Sequence, residues 1–269
     1  MAQPTGVPGL GARTKVAEAA EKLLLARAAD LHREQTRAAH RLEKKAVHAL
    51  RLSCRRLRAG IKLFGKKKLR RTDESVEHLQ DALGEVRDLQ LKIDWLVEHR
   101  ADSLVRGERE KLLAAEVHLR QALLLWSLRS APKVLFALSA VRRRGRLGGA
   151  RQRDRLLTRL RRLGSALEEA RTVEPGPAHA LRIAAKKLRY EAEIVSAAFD
   201  VGGLIEALKE LQDALGQLHD ADMRVELARK DPRLLRAARR ERERLARAAL
   251  ALVARWRQDD RVERFRKAV

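Results

Sequence analysis

Two unrelated residue patterns each occur twice in this chain, at almost the same separation. His48-Ala-Leu-Arg51-Leu-Ser-Cys-Arg55-Arg56-Leu-Arg58 returns as His179-Ala-Leu-Arg182-Ile-Ala-Ala-Lys186-Lys187-Leu-Arg189, an offset of 131 residues (48 to 179). Leu79-Gln-Asp-Ala-Leu-Gly84, continuing to Asp88, returns as Leu211-Gln-Asp-Ala-Leu-Gly216, continuing to Asp220, an offset of 132 residues (79 to 211). Nearly one offset for two unrelated patterns means tandem duplication of a long unit. That unit far exceeds a solenoid repeat, so each copy has the size of a helical bundle.

What each copy folds into follows from its residues. Hydrophobic residues make up 45% of the 269 positions but aromatics only 3%, so the core has to be Leu, Ala and Val. With Arg, Glu and Lys these are strong helix formers, and hairpin dipeptides and β-branched runs are missing. Breakers divide the chain into helices near 14–42, 44–64, 73–99 and 104–141, then 151–172, 177–199, 203–229 and 232–258, with a short tail helix after them. Pro132 should kink or split the fourth. The glycines at 145, 148 and 149 mark the junction, Pro175-Gly-Pro177 opens the helix of the second motif, and Pro232 opens another. The reading is all-α: a disordered leader over 1–13, then a half over 14–147 and a half over 148–269, each a four-helix bundle.

The net charge is +24. Both halves are basic, with 32 basic against 17 acidic residues through Leu147 and 28 against 19 after it. A field of that size costs stability and attracts polyanions, with nucleic acid, an acidic membrane surface and inorganic polyphosphate all admissible. The one cysteine, Cys54, lies on an apolar helix side and reads as core. Its solitude excludes a disulfide framework and fits a reducing compartment. No apolar stretch reads as long enough to insert in a membrane, and no signal peptide opens the chain.

The repeated cations form a stripe. At about 100° per residue, Lys44, His48, Arg51, Arg55, Arg58 and Lys62 fall within roughly a quarter of the circumference of their helix. Leu50, Cys54, Leu57 and Ile61 fall beside them, so the cations border the buried face. The strip from His48 to Lys62 is about 21 Å long, enough to follow successive phosphates. The second copy repeats it with His179, Arg182, Lys186 and Arg189, Tyr190 at its edge as a hydroxyl donor, and Glu193 in place of Lys62. An ordinary solvated face would interleave acids at three- and four-residue spacing. None occurs between 44 and 62 or between 179 and 189.

Each stripe begins with a His. Neighbouring cations disfavour its imidazolium and a bound phosphate favours it, so anion binding should take up protons. The other histidines show no metal-ligand spacing. Gly84 and Gly216 sit within predicted helices and suggest close helix crossings. Asp88 and Asp220 either steady stripe cations or are ordinary surface acids. Lys66-Lys67-Lys68 and Arg70-Arg71 read as a solvated basic turn.

These residues resemble the CHAD family, the conserved histidine α-helical domain. The resemblance rests on Val47-His48-Ala-Leu-Arg51 with its basic run, on His179-Ala-Leu-Arg182 through Tyr190, and on the Leu-Gly…Asp segments at 83–88 and 215–220. It covers roughly residues 15 to 258. It implies two antiparallel four-helix bundles related by a pseudo-twofold, with a basic central groove or pore. It further implies binding of inorganic polyphosphate, association with polyphosphate granules in the cytoplasm, no activity of the domain's own and no cofactor. Sulfate or phosphate would be expected in such a site in crystals. By this carry-over the groove is lined by His48, Arg51, Arg55, Arg58, His179, Arg182, Lys186 and Arg189. Lys209 is a weaker member, because its counterpart is Glu77.

Two other functions compete. Triphosphate or polyphosphate hydrolysis, by the chain or as an accessory to such a hydrolase, normally needs carboxylates holding a divalent metal. Glu191-x-Glu193 and Glu241-x-Glu243 are helical, which points each pair's carboxylates apart, and neither continues to the Lys of the tunnel phosphatases' Glu-x-Glu-x-Lys strand. Nucleic-acid binding suits the charge, but stacking aromatics are scarce, so only weak non-specific binding is expected.

Overall fold

The computed structural model describes residues 4–65, 68–139, 141 and 145–269. Among them every regular element is helical: α1 (Val16–His40), α2 (Lys44–Phe64), α3 (Arg70–Glu98), α4 (Asp102–Leu125), a π-helical turn (Trp126–Ser130), α5 (Ala131–Ser139), α6 (Ala150–Glu169), α7 (Pro175–Val195), α8 (Gly202–Leu227), α9 (Pro232–Gln258) and α10 (Arg261–Ala268). The bounds lie within a few residues of those the breakers predict, and α10 is the expected tail helix. Pro175 and Pro232 each open a helix, where their missing N–H costs nothing. Asp231 caps α9, its carboxylate accepting from the N–H groups of Arg233 and Leu234 at 2.9 and 3.0 Å.

The chain forms two compact units. The first holds the residues up to Leu10 and Thr14–Gly145; the second holds Gly11–Arg13 and Arg146–Val269. The boundary lies two residues before the predicted one. In each unit consecutive main helices pack on one another, α1 on α2 on α3 on α4 and α6 on α7 on α8 on α9. The cores are built of Leu, Ala and Val as composition requires, with Trp95, Trp126 and Trp256 buried among them. So α2 lies between α1 and α3, and α7 between α6 and α8, which fixes both motif helices on two sides.

The duplicated helices are held to their predecessors by different means. Gly60 lets Leu24 of α1 approach α2, and a Cβ there would stand 2.9 Å from Leu24 Cδ2. The equivalent position of α7 is Glu191, buried at 4% exposure. Arg155 and Arg159 of α6 donate to its carboxylate at 2.9 and 2.7 Å. Burial opposes its ionisation, but the two guanidiniums prevail and hold its pKa below the usual carboxylate range.

Three expectations are corrected. Residues 4–13 are not a loose leader. Thr5 donates its backbone N–H and its hydroxyl to Asp30, and Arg27 donates to the Thr5 carbonyl and to Asp30. The Gly148 N–H reaches the Ala12 carbonyl at 2.9 Å. Asp30 is buried, and the donors Thr5, Arg33 and Arg27 outweigh that burial to lower its pKa. Gly and Pro forbid helix in this segment, but a buried carboxylate needs donors, and the segment brings them. Residues 1–3 lie outside the described residues.

Next, Pro132, expected to kink or split its helix, does not split it. The π turn just before it takes up the carbonyl its ring would strike, and the helical run continues from Asp102 to Ser139. Last, that run contains an 18-residue window of mean hydropathy 1.2, long and apolar enough by length and composition to cross a membrane, with 22% of the window buried. Arg129 and Lys133 interrupt the apolar run and break its continuity in the sequence, but the leucines and Phe136 outweigh them on average.

Candidate anion-binding stripes

The two motif helices place equivalent residues in equivalent environments. His48 and His179, in the second turns of α2 and α7, are exposed. Arg51 and Arg182 are half-buried one turn on, as are Arg55 and Lys186 after another. Arg58 and Arg189 end the series buried, at 8% and 9% exposure. The gradient follows from period 3.6 on a tilted contact: each helix runs from open to covered along the same stripe. Leu50, Cys54, Leu57 and Ile61 are fully buried beside it. Burial pushes the Cys54 thiol up to about 12, an inert core residue as the sequence suggests.

Arg58 and Arg189, expected to line the groove, are buried and held by carboxylates. The Arg58 Nε donates to Asp73 of α3 at 2.8 Å, and its Nη2 donates to Glu77. Burial works against its charge, yet Asp73 and Glu77 raise its pKa. Lys62 reaches the same Asp73 at 3.4 Å. Arg189 donates to Glu193 at 2.7 Å and lies 4.6 Å from the centre of the Tyr190 ring. Tyr190, expected at the stripe's edge, is instead 6% exposed. Positions 73 and 77 become Ile205 and Lys209 in α8, so the second half lacks those carboxylates. Glu193, standing where Lys62 stood, supplies the missing charge from α7 itself.

The outer members are accessible and loosely held. Lys44 is exposed and pairs with exposed Asp94. Lys209 is half-buried and lies 3.9 Å from Glu206. The Arg55 Nε is buried with no hydrogen-bond partner among the described residues.

Sequence reading missed two positions. Arg87 of α3 approaches His48 closely enough to depress its pKa, after partial burial and alongside Arg51 and Arg55. At the matching place on α8, His219 stands 5.4 Å from His179, ring centre to ring centre. Partial burial, then Arg182, His219 and Lys186, lower the His179 pKa. Arg87 and His219 are both the ninth residue of the Leu-Gln-Asp-Ala-Leu-Gly segment. A cationic or imidazole group at both copies was the available signal.

Around His48 the stripe opens into a cavity of about 940 Å³ at the turn from α1 to α2. Arg37, His40, Arg41 and Lys45 line it with His48, against Glu34 and Glu43. The end of α1 thus adds cations that the motif does not contain.

The glycines of the second motif do not mark close helix crossings. A Cβ on Gly84 would meet the Arg51 guanidinium at 3.6 Å, and one on Gly216 would meet nothing within 4 Å. At Gly84 the neighbour is the stripe itself, lying across α3. Asp88 is exposed and Asp220 half-buried. Lys68, Arg70 and Arg71 are exposed, Lys68 in the turn but Arg70 and Arg71 already in the first turn of α3, while Lys66 and Lys67 lie outside the described residues. No group of three or more His, Cys, Asp or Glu able to hold a metal occurs among the described residues.

Comparison with known proteins bears on the whole arrangement. The protein-family model of the CHAD domain matches residues 22–229. Among solved structures, the crystal structure of the CHAD domain from the plant Ricinus communis superposes with a TM-score of 0.69 at 18% identity, covering 94% of this chain and 96% of that one. PptA from Streptomyces chartreusis gives 0.64 at 19% identity, covering 90% and 100%. No curated protein sequence matches significantly. At these identities the structural likeness is one of fold.

Proposed function

Because this chain belongs to the CHAD domain family, we propose that its two cationic stripes bind inorganic polyphosphate and do no chemistry on it. The observation that carries this reading is the matched gradient of the two halves. At equivalent positions each offers an exposed His, two half-buried cations, and a buried Arg already neutralised by carboxylates. A duplicated core needs only its leucines to match. Matching the exposure of the cations as well is what a duplicated ligand surface requires. Arg forks and Lys point charges engage phosphoryl oxygens without reading a base.

In this division of labour Arg51, Arg55, Arg182 and Lys186 contact the anion. Arg58 and Arg189 position the helix, and Lys44, Lys62 and Lys209 add field. The cavity beside His48 widens the first stripe. The twofold pairing of halves into one basic groove enters as a prediction. If one polyphosphate chain engages both stripes, removing either stripe should cost most of the affinity for long chains and little for short ones.

Hydrolysis finds less support. Glu191 and Glu193 are each held by arginines, and Glu241 pairs with Arg224. The test is direct. Long polyphosphate should bind the wild-type protein, bind Arg51→Ala/Arg182→Ala at least tenfold more weakly, and release no phosphate with Mg²⁺ or Mn²⁺. Equal binding by the variant, or steady phosphate release, would overturn the reading. A DNA duplex competing evenly with long polyphosphate at near-physiological salt would favour a nucleic-acid partner instead. The same reading puts the protein at cytoplasmic polyphosphate granules, which imaging of a tagged copy against a polyphosphate stain checks.

A further inference from the structure

The α4–α5 run carries a second apolar face that its own unit does not use. Leu119, Leu123, Trp126, Val134 and Leu138 are buried. Leu113, Val117, Leu124, Leu128 and Phe136 are 64%, 57%, 60%, 69% and 79% exposed. The buried set is spaced 4, 3, 8 and 4 residues and the exposed set 4, 7, 4 and 8. Each contains one step of eight across Trp126–Ser130, a heptad plus the one extra residue of the π turn. Counting that residue, both sets are straight lines, and they lie on opposite sides of the helix. The exposed line is about 34 Å long.

We propose that this line is the interface of an antiparallel, twofold dimer of this chain. The line is heptad-spaced, with Leu125 and Leu135 widening it at 50% and 47% exposure, and such a strip is the shape that another helix fills. A lipid surface suits it less, because carboxylates flank it. Glu85 of α3 lies 3.6 Å from His118, and Asp81 lines the cavity that α3 forms with His118, Gln121 and Leu125. On the same flank, past the π turn, stand the exposed cations Arg129 and Lys133. Antiparallel pairing about a twofold axis brings identical flanks together. With the axis between Leu124 and Leu125, Arg129 and Lys133 of one copy fall about level with residues 120 and 116 of the other, alongside its Glu85. Phe136 then falls about level with Leu113. On this flank the carboxylates of one copy therefore meet the cations of the other, although Arg129 also comes level with Arg120, along a face whose apolar part is self-complementary. At roughly 50–100 Å² per side chain, the two lines with their flanks remove on the order of 1,000 Å² from water, the lower bound of a specific interface.

The experiment is sedimentation velocity on the full chain over a micromolar concentration series. A dimer mass is expected. Leu124→Glu/Leu128→Glu should give a monomer with unchanged helical circular dichroism and unchanged binding of short polyphosphate. Glu85→Lys should weaken association a few-fold, and adding Lys133→Glu should recover it. A wild-type protein that stays monomeric throughout would overturn the proposal. So would a double variant that still dimerises, or a monomer that binds anionic phosphatidylserine vesicles through these leucines. The unchanged polyphosphate arm keeps failure of this proposal separate from failure of the binding reading.

Discussion

Arg58 and Arg189 show the two halves meeting one electrostatic demand with different residues. A buried guanidinium needs carboxylates. The first half takes them from α3, the second from α7. Arg58→Ala should therefore lower stability by about 1–3 kcal/mol, read from urea denaturation, because the largely covered Asp73 is left with only the longer Lys62 contact at 3.4 Å. Arg51→Ala should leave stability nearly unchanged and lower affinity. The histidines behave in the opposite sense. Partial burial, then Arg87, Arg51 and Arg55 around His48 and Arg182, His219 and Lys186 around His179, keep both pKa values below the ordinary 6.5. The unfolded chain then binds protons first, so stability falls as pH drops from about 6.5 through the folded values. A bound phosphate chain reverses the penalty. Calorimetry in two buffers of different ionisation heat should show proton uptake on binding near pH 6, and His48→Gln/His179→Gln should abolish it. Zero uptake by the wild type would contradict the assigned contacts. At this scale the sequence disclosed the stripe, because identity and period suffice to align cations. It did not disclose Arg87 or His219, since which α3 or α8 face meets a stripe depends on helix packing that no single-helix period contains.

Helix by helix, the sequence was legible wherever a breaker or a period spoke. Pro175, Pro232 and the glycines near 145–149 bounded helices within a few residues. The π turn was not legible, because Pro132 announces a defect without saying whether the helix stops or widens. The helix-to-helix contacts were also hidden. Gly60 and Glu191 occupy one repeat position yet join their helices in unlike ways, a close approach against a buried carboxylate between two arginines. Glu191→Ala should cost about 3 kcal/mol, near the lower end for a broken buried pair because Arg155 is a third exposed. The ionised Glu191 and Asp30 also set the acid limit. Their folded pKa values lie below the ordinary 4.5 and 3.8. The stability they contribute is present above those values and is lost as pH falls through the lower folded ones. A denaturation series from pH 5 downward should show that loss, reduced in Glu191→Gln.

Across the whole molecule the net charge of +24 dominates. Self-repulsion makes the free protein less stable at low ionic strength, and a polyanion relieves it. Affinity for polyphosphate should fall steeply and linearly in log–log salt titration, because condensed counterions are released on binding. The thermal midpoint should rise with long polyphosphate more than with an equal phosphate concentration of short chains.

The most direct measurement is the affinity of one long polyphosphate for four proteins: wild type, Arg51→Ala/Arg55→Ala, Arg182→Ala/Lys186→Ala, and the variant carrying all four changes. Each paired variant should bind at least tenfold more weakly, and the fourfold variant should retain only a weak, salt-erased remainder. Undiminished binding by the fourfold variant would show that the duplicated stripes are not where the anion lies.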